Sequence, residues 1–236
     1  MATEHNGVSF SSPYYPYRRV VSGANTLRGA ELIPYKILTY LMDLPDSFGY
    51  EPQDDNDRPR VKLIKYLYYD GAVPLREALP TAKEKLSILF DPTMPDINSD
   101  FEKSLHPKGY RLYPQRVIKE SELTAKTLLK CYISHVSDPE EYETSIGITI
   151  EIWTDSDFVS NLKSTAYDRV WDIETCLRDA LNGVDVGGVG CLRFTRRHNT
   201  YNGSDPIWTE GAFVGRAVNF SVAWAEGGGE KINDYS

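Results

Sequence analysis

The stretch Ser145–Thr154, SIGITIEIWT, decides how the chain must be read. Ile146, Ile148, Ile150 and Ile152 fall on one face of an extended backbone, and Gly147, Thr149, Glu151 and Trp153 on the other. A helix, turning about 100° per residue, would scatter those isoleucines around its circumference. The segment is therefore a strand with one apolar face turned to a core. Just before it, TLLKCYISHV (127–136) is also strand-like, and the intervening SDPEEYET has the turn chemistry and length of an antiparallel hairpin.

Beyond this hairpin the period changes. Residues 157–182, DFVSNLKSTAYDRVWDIETCLRDALN, place Ala166, Val170, Ile173, Leu177 and Leu181 along one stripe, which predicts a long amphipathic helix stopped by Asn182-Gly183. GVGCLRFTRR (188–197) and GAFVGRAVNFSVAWAE (211–226) then predict two further strands. In the second, Val214, Val218, Phe220, Val222 and Trp224 alternate with Gly215, Ala217, Asn219, Ser221 and Ala223.

The first half is less regular. Residues 1–27 are rich in Ser, Pro, Tyr and Gly and predict an extended N-terminal arm without a folded element. AELIPYKILTYLMDL (30–44) has the spacing of an amphipathic helix with Pro34 in its first turn. VKLIKYLYYD (61–70) fits a short helix or a strand, and periodicity does not separate them. PTAKEKLSILFDP (80–92) predicts a helix capped by Thr81 and ending before Pro92, and KGYRLYPQRVI (108–118) a short extended piece. The expected fold is α+β. A mostly antiparallel sheet of four or more strands, built around a strand-strand-helix-strand-strand core, packs on two helices and buries the Ile146 and Val218 faces together. One domain spans 28–225, with an irregular insert at about 45–124 and a flexible tail at 226–236.

Composition narrows the chemistry. The chain has 236 residues, 41% of them apolar, enough for a substantial core. Its formal charge of −8 argues against nucleic-acid binding by bulk phosphate neutralisation. The N-terminus lacks the features of a signal peptide, and no apolar run is long enough for a transmembrane helix, which leads us to expect a cytosolic protein with no membrane partner. Cys131, Cys176 and Cys191 are widely spaced and expected as buried thiols. The four histidines are scattered, so no metal or cofactor is expected. The pairs Glu141/Glu143 and Asp155/Asp157 fall in turn-like segments and are expected to be solvated rather than catalytic. GVDVGGVG (183–190) lacks the Lys-Ser/Thr of a phosphate loop and lies after a helix, on the wrong side for phosphate.

Two segments are unusually adhesive. SSPYYPYRRV sets Tyr14, Tyr15, Tyr17, Arg18 and Arg19 around two prolines. RRHNTYNGSDPIWTEG (196–211) carries Arg196, Arg197, His198, Tyr201 and Trp208, and is expected as the long tip of the last hairpin. Arg, Tyr and Trp concentrate at protein interfaces because they combine contact area with directional hydrogen bonds. Both segments are therefore expected to bind protein. A carbohydrate or small-ligand module using the tyrosines and tryptophans as platforms is the alternative of another class. An enzyme, with no catalytic motif in evidence, would have to bring together residues such as Asp155, His198 and Glu210.

Residues 125–225, a hairpin of alternating strands, the helix containing TDSDFVSNLKSTAYDRVWDIETCL and the closing strand GRAVNFSVAW, resemble the neck proteins of tailed bacteriophages, especially the tail terminator type. The resemblance is of topology and texture and covers under half of the chain. It implies a structural, non-enzymatic virion protein assembled in the host cytoplasm. A small α/β subunit would form a ring, with six copies expected, between the tail tube and the head-tail connector, and DNA would pass through its lumen without specific binding. The segment Pro34–Thr124 is longer than a minimal terminator needs, which leaves head-tail stopper or tail completion protein as neighbouring stations.

Overall fold

A computed structural model describes residues 3–5, 8–10, 29–42, 58–71, 73–90, 109–116, 127–136, 144–156, 168–194, 203–208 and 213–224. At its centre, β5 (Thr144–Asp155) runs antiparallel to β10 (Phe213–Trp224) along their full twelve-residue lengths, from Thr144 opposite Trp224 to Asp155 opposite Phe213. On the other side of β5 lies β4 (Thr127–Val136), also antiparallel. The two-residue β3 (Leu112–Tyr113) extends the sheet parallel to β4. Beyond β10, β8 (Arg193–Phe194) and β9 (Ser204–Trp208) share its outer edge. The six-stranded sheet is thus mostly antiparallel and the fold is α+β.

Register assigns the faces. Ile146, Ile148, Ile150 and Ile152 stand beside Val222, Phe220, Val218 and Arg216, and on the β4 side beside Val136, Ile133, Cys131 and Leu129. Against this face pack α1 (Ile33–Leu41), α2 (Pro59–Tyr68) and α4 (Arg169–Leu181). The four isoleucines are fully buried. Each buried aliphatic side chain of this size contributes on the order of 2 kcal/mol, so the row is a major source of stability.

α1 starts with Pro34 in its first turn and buries Ile33, Ile37, Leu38 and Leu41, as its spacing predicts. The ambiguous VKLIKYLYYD resolves as helix α2, which buries Leu63 and Leu67 in the same core as the isoleucines. The segment expected as an irregular insert therefore supplies part of the main core. α3 (Ala82–Leu86) opens with a capping box between Thr81 and Glu84. It stops well short of Pro92, because Leu89 leaves helical geometry to bridge Leu112 and lengthen the sheet.

Several expectations need correction. Of the helix predicted over 157–182, residues 157–167 lie outside the described residues, and the helix does not run through Asp168. Asp168 is extended (φ −74°, ψ 124°), and its carboxylate accepts from the Val170 N–H, so α4 starts at Arg169. GVGCLRFTRR is not one strand but two pieces. Gly190–Cys191 (β7) pairs with Asp185–Val186 (β6) in a separate hairpin, and only β8 joins the main sheet. Its exposed Cys191 contradicts the expectation of three buried thiols, whereas Cys131 and Cys176 are buried. Asp155, expected to be solvated, is buried beside Phe213 at the end of β5, while Glu141, Glu143 and Asp157 lie outside the described residues. The arm predicted to lack folded elements contains a hairpin of β1 (Thr3–His5) and β2 (Val8–Phe10). The two residues between them, Asn6-Gly7, are the pair that most favours a tight hairpin turn.

The expected long tip at 196–211 is also partly strand. Ser204–Trp208 pairs with Val214–Val218, and Pro206 is tolerated because β9 is an edge strand, where a missing N–H costs no ladder bond.

The end of α2 is held by two buried arginines. The final carbonyls of a helix have no N–H partner within it. Arg111 donates to Leu67 O at 2.6 Å and forms a fork onto Asp70 at 2.7 and 2.8 Å. Arg169 donates to the carbonyls of Tyr66, Tyr69 and Gly71. Burial pushes the Arg169 guanidinium down to about 10, with Asp70 opposing the shift and Arg111 adding to it. Arg169 is the first residue of α4, so one clamp fixes α4 against α2.

Close backbone approach at the β5–β10 ladder makes Gly215 essential. A Cβ there would lie 1.8 Å from the Ile152 carbonyl oxygen, whereas at Gly187 it would meet nothing within 4 Å. Gly215→Ala is expected to destabilise the fold by about 3 kcal/mol and Gly187→Ala to change it by less than about 0.5 kcal/mol. Urea denaturation of the two variants measures the difference.

Candidate functional site

Of the residues expected at an interface, Tyr14, Tyr15, Tyr17, Arg18, Arg19, Arg196, Arg197, His198 and Tyr201 lie outside the described residues. So do His198 and Glu210 of the conceivable enzyme site. Trp208 closes β9, its backbone opposite Val214. The described part of that stretch is fastened to α4 by a set of contacts that begins with one charge in an apolar row.

Arg216 occupies the helix-facing row of β10, between Val214 and Val218 and opposite Ile152. A guanidinium on that face needs a partner, because removing a charge from water without one costs several kcal/mol. Glu174 supplies it from α4. Its side chain is only 3% exposed, and its Oε2 accepts from Arg216 Nε at 2.5 Å and from Ser204 Oγ at 2.8 Å. Arg216 Nη2 reaches Ser204 O at 3.5 Å. Arg178, one helical turn beyond Glu174, approaches its other oxygen at 3.9 Å and lies over the Phe194 ring at 4.4 Å. One buried carboxylate thereby joins α4, the start of β9 and the middle of β10.

The outer side of this corner is aromatic. Trp171, the third residue of α4, is 52% exposed, and the Arg216 guanidinium carbon lies 4.5 Å from its ring centroid. Such a stack fixes the indole in place and adds cation–π attraction of about 0.5–1 kcal/mol at an exposed site.

On the opposite side of α4 is a cleft of about 280 Å³ lined by Pro59, Lys62, Tyr66, Leu75, Asp172, Thr175, Cys176 and Asp179. Its polar groups are largely engaged. Tyr66 donates to Asp172 Oδ2 at 3.0 Å, and burial with the Asp172 charge holds the phenol well above its ordinary range. Burial likewise pushes the Cys176 thiol up to about 12, which leaves it protonated and a poor nucleophile at neutral pH.

The far face of the sheet carries a second polar group. Glu151 accepts from Tyr132 Oη at 2.5 Å and Trp153 Nε1 at 2.9 Å, and Lys130 Nζ lies 3.7 Å from the Trp153 ring centroid. Thr149 donates to Asn219 Oδ1 at 2.8 Å, and both side chains are buried. These contacts satisfy one another.

Trp171, Glu174, Ser204 and Arg216 were not singled out from sequence. A signal existed: in FVGRAVNFSVAW, Arg216 is the only charged residue at the alternating positions from Val214 to Trp224. Its partner could not be found that way, since Glu174 and Arg216 are 42 residues apart and the α4 stripe is defined by its apolar members. No protein-family model, curated protein or solved structure matches the chain.

Two measurements check this description. Removing the Glu174 charge leaves Arg216, 24% exposed, without its counter-ion, so Glu174→Gln is expected to cost about 2 kcal/mol, less than for a fully buried pair. Denaturant midpoints of the variant and wild type report it. Thiol titration near pH 8 is expected to modify Cys191 alone in the native chain and all three cysteines after unfolding, because burial raises the Cys131 and Cys176 thiols above their ordinary range.

Proposed function

We propose that the chain is a structural subunit of a bacteriophage neck, a tail-terminator-like ring protein joining the tail tube to the head connector through protein-protein contacts. A head-tail stopper or other connector ring is the neighbouring form of the same reading. The element order supports the reading: β4 and β5 pair, α4 follows, and after the small β6–β7 hairpin come β8, β9 and the closing strand β10.

The observation that carries the proposal is the corner built on Glu174. A buried carboxylate fastens the chain leaving the Arg196–Tyr201 stretch to a rigid helix-and-sheet layer, and it does so through Ser204 and Arg216. Anchoring of this kind lowers the ordering cost of binding at the corner itself, because Trp171, Ser204 and Arg216 are already positioned. The adhesive residues Tyr14, Tyr15, Tyr17, Arg18 and Arg19 on the arm, and Arg196, Arg197, His198, Tyr201 and Trp208 near the hairpin, supply the contacts. Neighbouring copies, tail tube and connector proteins are the partners. The formal charge of −8 suits a lumen through which DNA slides without being held.

Negative-stain electron microscopy of the purified full chain tests this reading. Closed rings with a central channel are the expected image. Fields of single small particles at every concentration, with Trp fluorescence that shifts on addition of oligosaccharides, would overturn it in favour of a ligand-binding module.

A further inference from the structure

We propose that the Trp171–Arg216 corner is the face by which one copy of the chain grips the next, an inference that rests on the ring reading above. Among the described residues the exposed large hydrophobics are Leu32, Val73, Leu86, Val136 and Trp171, and of these the tryptophan offers the largest surface and the highest exposure, at 52%. It is also held. Arg216 stacks on its ring, and Glu174 and Ser204 hold Arg216 from beneath. A pre-positioned tryptophan flanked by arginine is the composition of an interface hot spot, where burial of a few side chains supplies most of the binding energy.

Charge selects the occupant. From outside, the corner presents the Arg178 and Arg216 guanidiniums, 49% and 24% exposed, while Glu174 beneath them is 3% exposed. Of the carboxylates nearest in sequence, Asp205, next to Ser204, stands opposite Ala217, on the other face of the sheet from Arg216. Asp168 accepts from the Val170 N–H at the start of α4, and Asp172 and Asp179 line the cleft facing α2. The chain as a whole carries 34 acidic against 26 basic residues. A second copy therefore brings a net negative charge to a cationic, aromatic corner.

The same charges exclude one arrangement. Two such corners facing each other across a two-fold axis would set arginines against arginines, so the corner must meet a different surface of its neighbour. Repeated head to tail, as the ring reading requires, such a contact closes into a ring when its rotation permits.

Trp171→Ala tests the assignment, with the mass of the full chain measured by light scattering over a concentration series. The side chain is half-exposed and loses only its stack with Arg216, so the variant should still fold, with a small fall in its denaturation midpoint. Self-association should weaken by at least about 30-fold, and Trp171→Phe should retain part of it. If wild type assembles and Trp171→Ala assembles equally well, the inference is overturned and the ring reading stands. If wild type itself remains monomeric at every concentration, the ring reading fails and this inference with it.

Discussion

The register of β5 against β10 is the constraint on which the rest of the structure depends. Because side chains alternate along a strand, sliding β10 by one residue would turn Val218, Phe220, Val222 and Trp224 away from the helices and bring Ala217, Asn219 and Ser221 into the core. Twelve residues on each strand resist that slip together. The close approach at Gly215 adds a backbone requirement at one point of the ladder. With the register fixed, a continuous apolar face exists, and α1, α2 and α4 cover it.

The register also has a cost, and the corner site follows from it. It places Arg216 on the helix-covered face, where a charge needs an anion, and the helix crossing that end of the sheet supplies Glu174. The carboxylate takes a second hydrogen bond from Ser204, which brings the start of β9 under the same control. The guanidinium in turn lies against Trp171. One charge in an apolar row thereby becomes part of an aromatic and cationic surface at the start of β9. The arginine clamp on the end of α2 works at another edge of the same layer, where Arg169, the first residue of α4, is tied to the carbonyls of Tyr66, Tyr69 and Gly71.

Much of this fold is legible in the sequence because its central elements obey a single period. The four isoleucines, the β10 alternation and the stripe from Val170 to Leu181 each reflect one buried face. What is not legible arises where local geometry interrupts a period. Asp168 caps α4 within a segment whose apolar spacing reads straight through it. Pro206, a usual mark of a loop, sits in a strand because the strand is at an edge. Leu89 reads as part of α3 but joins the sheet through a contact with Leu112, 23 positions away, that no local window contains. The corner was hidden for the same reason. Its members are Trp171 and Glu174 on a helix, Ser204 at the start of a short edge strand and Arg216 on a long one, and they meet only after the sheet has formed.

On the proposed reading the chain is one part of a larger assembly, and the Trp171–Arg216 corner grips a neighbouring copy. Sedimentation equilibrium of the full chain over a dilution series tests that claim most directly. The account predicts a mass that climbs with concentration to a fixed multiple of 26.7 kDa and then stays there, the behaviour of a closed ring. A mass of 26.7 kDa at every concentration would contradict it.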